Sequence, residues 1–71
     1  MINKKQPFTK PLTMIVFAGE DSAKVIAERE VVDFQQAMYF VSAYQDDSVY
    51  GQIKDGPNVY IVGADCVERA F

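Results

Sequence analysis

Apolar and polar positions change period several times along this chain, and the clearest period is helical. With Phe34 as the first helical residue, Ala37, Met38, Val41 and Tyr44 follow at spacings of three and four, which places them on one face. Asp33 precedes the run and Gln36 stands three positions on. That is a capping-box arrangement, in which side-chain oxygens accept from amides that a helix start leaves without partners. The spacing predicts one helix over residues 33–45 with this face turned to the core.

Strand-like segments lie on both sides of it. Residues 12–18, LTMIVFA, form an apolar run rich in β-formers, too short for a good helix and closed by Gly19. Thr13 is its only polar residue, which suits a central strand covered on both faces. Gly19, Glu20, Asp21 and Ser22 supply turn chemistry. Residues 23–32 then alternate, with Ala23, Val25, Ala27, Arg29 and Val31 on one side and Lys24, Ile26, Glu28 and Glu30 on the other. A helix over residues 22–30 competes, because Ser22 could cap it and Ala23, Ala27 and Glu28 are good helix formers; the alternation favours a strand.

After the helix, Asp46, Asp47 and Ser48 connect to a third strand over 49–54. Asp55, Gly56, Pro57 and Asn58 make a turn, and 59–62 a fourth strand. Residues 64–71 admit two readings. Asp65 with Glu68 could open a short helical turn, whereas Cys66, Glu68 and Ala70 against Val67, Arg69 and Phe71 could alternate as a strand; the helical turn is preferred. The expected fold is α+β in the order ββαββ, an antiparallel four-stranded sheet with one helix packed on one face. Phe34, Ala37, Met38, Val41, Ile15, Phe17, Val25, Val49, Ile53 and Ile61 are the expected core. Ile26, Tyr50, Tyr60 and Val62 are expected on the open side of the sheet.

Residues 1–11 break the pattern. They carry Lys4, Lys5, Lys10, Pro7 and Pro11 and no periodic apolar face, and read as a flexible basic arm before a single domain over 12–71. With 71 residues, 49% of them hydrophobic, the chain can fold alone. A domain this small buries only about 60% of its unfolded surface, so a partner or a second copy would add needed stability. The arm holds three lysines and no acid, while residues 12–71 hold four basic against ten acidic side chains. Such a body repels phosphate backbones, which argues against direct nucleic-acid binding and for a basic protein partner. No apolar signal core or membrane-length stretch is present, so a cytoplasmic place without membrane contact is expected.

Candidate chemistry is sparse. Cys66 is the sole cysteine and there is no histidine, so neither an internal disulfide nor an ordinary zinc site is expected, and no cofactor is implied. Without a histidine base, a Gly-rich phosphate loop or a nucleophile elbow, the expectation is a protein that is not an enzyme. Strand direction does gather acids. If the first strand runs up, Glu20 and Asp21 lie at the top, Asp46 and Asp47 follow the rising helix there, and Asp65 follows the rising fourth strand. Asp46 and Asp47 stand at a helix C-terminus, where the macrodipole disfavours negative charge by about 0.3–1 kcal/mol, so helix stability does not account for them. The ordinary reading is solvated turns; the sharper one is an acidic patch for a basic partner. No calcium-loop spacing is present. Tyr39, opposite the core stripe, is the aromatic contact candidate. The candidate contact set is therefore Glu20, Asp21, Tyr39, Asp46, Asp47 and Asp65.

The layout of a short acidic chain, an opening strand at 12–19, a helix at 33–45 and a closing hairpin at 49–62 resembles small phage-encoded inhibitors of host defence. Anti-CRISPR proteins and phage antitoxins that block a host ribonuclease toxin are such inhibitors. The resemblance covers about fifty residues and carries no diagnostic motif. It implies inhibition by occluding a partner's surface and transfers no functional residue. The competing class is a structural or assembly subunit that homo-oligomerises through its open sheet face.

Overall fold

The computed structural model describes residues 3–19 and 24–70. Its elements are β1 (Leu12–Ala18), β2 (Lys24–Val31), α1 (Phe34–Ser42), β3 (Val49–Asp55), β4 (Asn58–Val62) and β5 (Val67–Arg69). The strands form one antiparallel sheet in the order β2-β1-β3-β4-β5. The α+β class and the single helix agree with the sequence reading, but the sheet has five strands rather than four. The fifth is residues 67–69, where a helical turn was preferred. Val67 pairs with Val62 and Arg69 with Tyr60, and a three-residue strand held by a distant neighbour leaves too short a local pattern to be distinguished from a turn.

β1 lies between β2 and β3 and runs antiparallel to both, so β2 and β3 are parallel to each other and α1 spans the crossover between them. The helix starts as its capping chemistry predicts. Asp33 Oδ1 accepts from the Gln36 amide at 2.7 Å, and Gln36 Oε1 accepts in return from the Val32 amide at 2.9 Å. It ends earlier than predicted, at Ser42 rather than Gln45. The Tyr44 and Gln45 amides turn back to the Val41 and Ser42 carbonyls, and Gln45 takes φ 52°, a left-handed conformation that stops a helix. Tyr44 is consequently exposed instead of continuing the core stripe.

Met14, Val16, Val31, Phe34, Ala37, Val41, Val49, Ile53 and Val62 form the core between helix and sheet. Phe34, Ala37, Val41, Val49 and Ile53 were expected there. Ile15, Phe17, Val25 and Ile61 were also expected and are not: β1 presents Met14 and Val16 to the helix and turns Ile15 and Phe17 to the other side. A run apolar at nearly every position carries no phase, so periodicity could not choose between the two. Val25 was misplaced by a β-bulge. Val16 faces Ala27 but Phe17 faces Val25, so Ile26 is an extra residue and the alternation of β2 changes phase there, leaving Val25 58% exposed. Tyr60 and Val62, expected on the open side, pack toward the helix instead.

Two glycines set the sheet's shape. A Cβ on Gly51 would stand 2.4 Å from Met14 Sδ, so the absent side chain is the space that fully buried Met14 occupies. Gly56 has φ 60° and, with Pro57, closes the β3–β4 hairpin in two residues; positive φ first and the fixed negative φ of proline second is the type II′ combination.

The stretch read as a flexible arm is attached over its described part. The Phe8 amide donates to the Val32 carbonyl at 2.8 Å and the Lys4 carbonyl accepts from the Gln35 amide at 3.0 Å. The Phe8 ring meets Phe34 edge-on at 4.9 Å, and Phe34 in turn meets Tyr60 at 4.8 Å. This strap closes the helix start over one end of the core.

Candidate functional site

The sequence places its acids by strand direction, and the fold brings three of them to one recess. β3 begins and β4 ends at the same end of the sheet, so Asp46 and Asp47, just before β3, and Asp65, just after β4, line a cavity of about 340 Å³ together with Val41, Gln45 and Tyr50. Glu20 and Asp21 lie outside the described residues. Their neighbour Gly19 donates its amide to the Ser48 carbonyl at 3.3 Å, which fixes the end of β1 beside the same loop.

Asp46 has a local task as well. One carboxylate oxygen accepts from both the amide and the hydroxyl of Ser48 at 2.9 Å, a side-chain-closed turn that leads into β3. The Ser48 amide, and after it the Ser48 hydroxyl, hold the Asp46 carboxyl below the ordinary aspartate value. This turn explains why an aspartate follows the helix despite the macrodipole. Among the described residues no group of three or more histidine, cysteine or acidic side chains is placed to hold a metal ion, so the three aspartates ring the recess without converging on a point.

Tyr39 does not join them. It stands 69% exposed on the outer side of α1, with its ring 6.1 Å from that of Phe40, and it is not part of the acidic recess. The residues singled out by sequence therefore separate into an acidic end and a lone exposed aromatic.

The sheet face opposite the helix, which the sequence reading names as an open side, carries largely other residues than those expected on it: Tyr50 is there, whereas Tyr60 and Val62 pack toward the helix. Strand pairing puts Ile15, Phe17, Tyr50, Val59 and Ile61 on that face, and no element among the described residues covers it. Phe17 and Tyr50 stack across β1 and β3 with ring centroids 5.3 Å apart and planes 18° from parallel. A shallow cavity of about 560 Å³ runs beside them over Ile15, Phe17, Gln52 and Lys54. Tyr50 belongs both to this face and to the lining of the acidic recess, so the two surfaces are continuous. The available signal was the two-sided apolar character of residues 12–18, which a sheet covered on one face alone cannot absorb. A larger cavity of about 640 Å³ at the opposite end lies under the strap, between Phe8, Phe34 and Tyr60, with Lys10, Arg69 and Asp55 at its lining; its charges are mixed.

No helix among the described residues is long and apolar enough to cross a membrane. No protein-family model, curated protein or solved structure matches the chain.

Proposed function

We propose that the protein is a small non-catalytic inhibitor that binds a partner protein through the open sheet face and its acidic end, and so occludes a basic surface of that partner. The observation that carries this reading is the stacked Phe17–Tyr50 pair in an apolar sheet face that no element among the described residues covers. Aromatic pairs in such a place supply contact area at low entropic cost, and apolar surface gathered on one face marks an interaction site. The acidic recess that begins at Tyr50 sets the sign of the partner. Asp46, Asp47 and Asp65 attract a basic surface and steer its approach, whereas a phosphate backbone is repelled. Occlusion of a nucleic-acid-binding factor of host defence, in a host cytoplasm, is the setting in which the phage-inhibitor resemblance and this charge agree.

The test is capture of partners from a host lysate on the immobilised protein, followed by kinetics with variants. Phe17→Ser and Tyr50→Ser are expected to abolish retention while melting remains cooperative. Reversal of Asp46 and Asp47 to lysine is expected to slow association at low salt and to lose that effect at high salt, since exposed charges are screened over about 8 Å at physiological ionic strength. Retention indifferent to both face variants removes the reading. The competing reading, assembly of copies through the same face, is favoured by the same half-buried apolar residues and is distinguished by light scattering of the purified chain at rising concentration.

A further inference from the structure

Resting on that protein-binding reading, we infer that the open sheet face is built to seat one basic amphipathic α-helix of the partner, lying along the strands between two flanking glutamates. Strand register places Glu28, Ile15, Gln52, Ile61 and Glu68 in a single row across all five strands. The row is acidic at both ends and largely apolar between them. Five strands at 4.7–4.9 Å spacing make it about 19 Å wide. A helix is about 10–12 Å across, which leaves about 4 Å on each side, a gap that a lysine or arginine side chain on either flank crosses. The column of β1 side chains on this face, from Thr13 through Ile15 to Phe17, is about 13 Å long, the length of about nine helical residues. An extended segment fits less well, because laid on a face it leaves its own amides and carbonyls without partners, whereas a helix satisfies them internally. The seated helix would mirror α1 and complete a three-layer arrangement around the sheet.

Charge argues against a second copy as the occupant. Among the described residues the face carries Glu28, Glu30 and Glu68 against Lys54, so pairing it with itself sets acid against acid. The chain's own helix, FQQAMYFVS, has no basic residue to offer those glutamates.

The probe is a synthetic helical peptide of about fifteen residues with a leucine stripe and lysines on both flanks, compared with a twin in which glutamates replace the lysines. Dissociation constants come from fluorescence anisotropy and the site from amide NMR shifts of the full chain. The lysine peptide is expected to bind, with shifts at Ile15, Phe17, Tyr50, Gln52 and Ile61, and the glutamate twin to bind at least about ten-fold more weakly. Glu28→Lys combined with Glu68→Lys, both on exposed positions, is expected to reverse that preference; a melting curve confirms that the variant is folded. Equal affinity for both peptides overturns the inference, as do shifts confined to Tyr39 or to the acidic recess, or a dimer that protects the face without peptide. If neither peptide binds while Phe17→Ser still abolishes partner capture, the helix assignment falls and the protein-binding reading stands. If the lysine peptide binds as expected while partner capture ignores Phe17→Ser, the helix seat stands and that reading falls.

Discussion

The two faces of the sheet are built from the same strands and differ in almost everything else. On the helix side β1 contributes Met14 and Val16, both without solvent exposure; on the other side the intervening Ile15 and Phe17 are only half-buried. One face is finished by α1 and the strap, and the other ends on a stacked aromatic pair with acids at both edges of the sheet. Alternation along a strand makes a side chain's neighbour two residues away more informative than the one beside it. The difference shows that the apolar content of β1 divides: half of it is closed in the core, and half stays half-buried on a face that no element among the described residues covers.

Substitutions in β1 and β3 break the contrast most directly. Val16→Ala and Ile53→Ala remove fully buried side chains, and the expected cost is about 2–4 kcal/mol for Ile53 and somewhat less for the smaller Val16, a large share of the stability of so small a domain. Phe17→Ala, one residue along from Val16, is expected to cost clearly less than Ile53→Ala despite its larger side chain. Urea titration of the three variants decides this, and equal loss at Phe17 and Ile53 would refute the assignment of faces. Next comes Gly51→Ala. The new methyl meets Met14 in the closed core, and the expected cost is about 1–3 kcal/mol, partly recovered when Met14 is shortened to Val in the double variant.

Asp33→Ala tests the helix that makes one face different from the other. It removes the oxygen that accepts from Gln36, and a loss of about 1 kcal/mol in thermal unfolding is expected. The smallest effect belongs to Asp46. Its folded carboxyl titrates below the ordinary value of 3.8, so its contribution is present above that pH and is lost as pH falls through the lowered folded value. The stability difference between wild type and Asp46→Asn is therefore expected to shrink on acidification from about pH 5 to pH 2, which pH-dependent melting measures.

How much of this could be read beforehand depends on how local each cause is. The helix start was legible because Asp33 and Gln36 act within four residues of each other. The gathering of Asp46, Asp47 and Asp65 was legible because it needs only the direction of successive elements. The core face of β1 was not, since both of its faces are apolar and only packing against Ile53 and Gly51 selects Met14 and Val16. Nor was the side of Val25, because a one-residue bulge at Ile26 reverses every assignment before it. The residues 67–69 were undecided for the same reason: the pairing that makes them a strand lies with β4. The attachment of the strap was not legible because it rests on two backbone hydrogen bonds and on the Phe8 ring against Phe34, and one aromatic in eleven residues makes no period.

The position of β1 between β2 and β3 also has a kinetic consequence. β1 with β2, and β3 with β4 and β5, are each joined by short connections, so both halves close small loops. Among the described strand pairings, only the β1–β3 seam joins residues more than thirty apart, at Met14 with Ile53 through Ala18 with Val49. Formation of that seam is the expected rate-limiting step of folding, since its loop-closure entropy is spent before any of its contacts form. In stopped-flow refolding, Gly51→Ala at the seam should slow the folding arm, and a substitution confined to β5, such as Val67→Ala, should chiefly speed unfolding. The reverse pattern would place the nucleus in the closing meander.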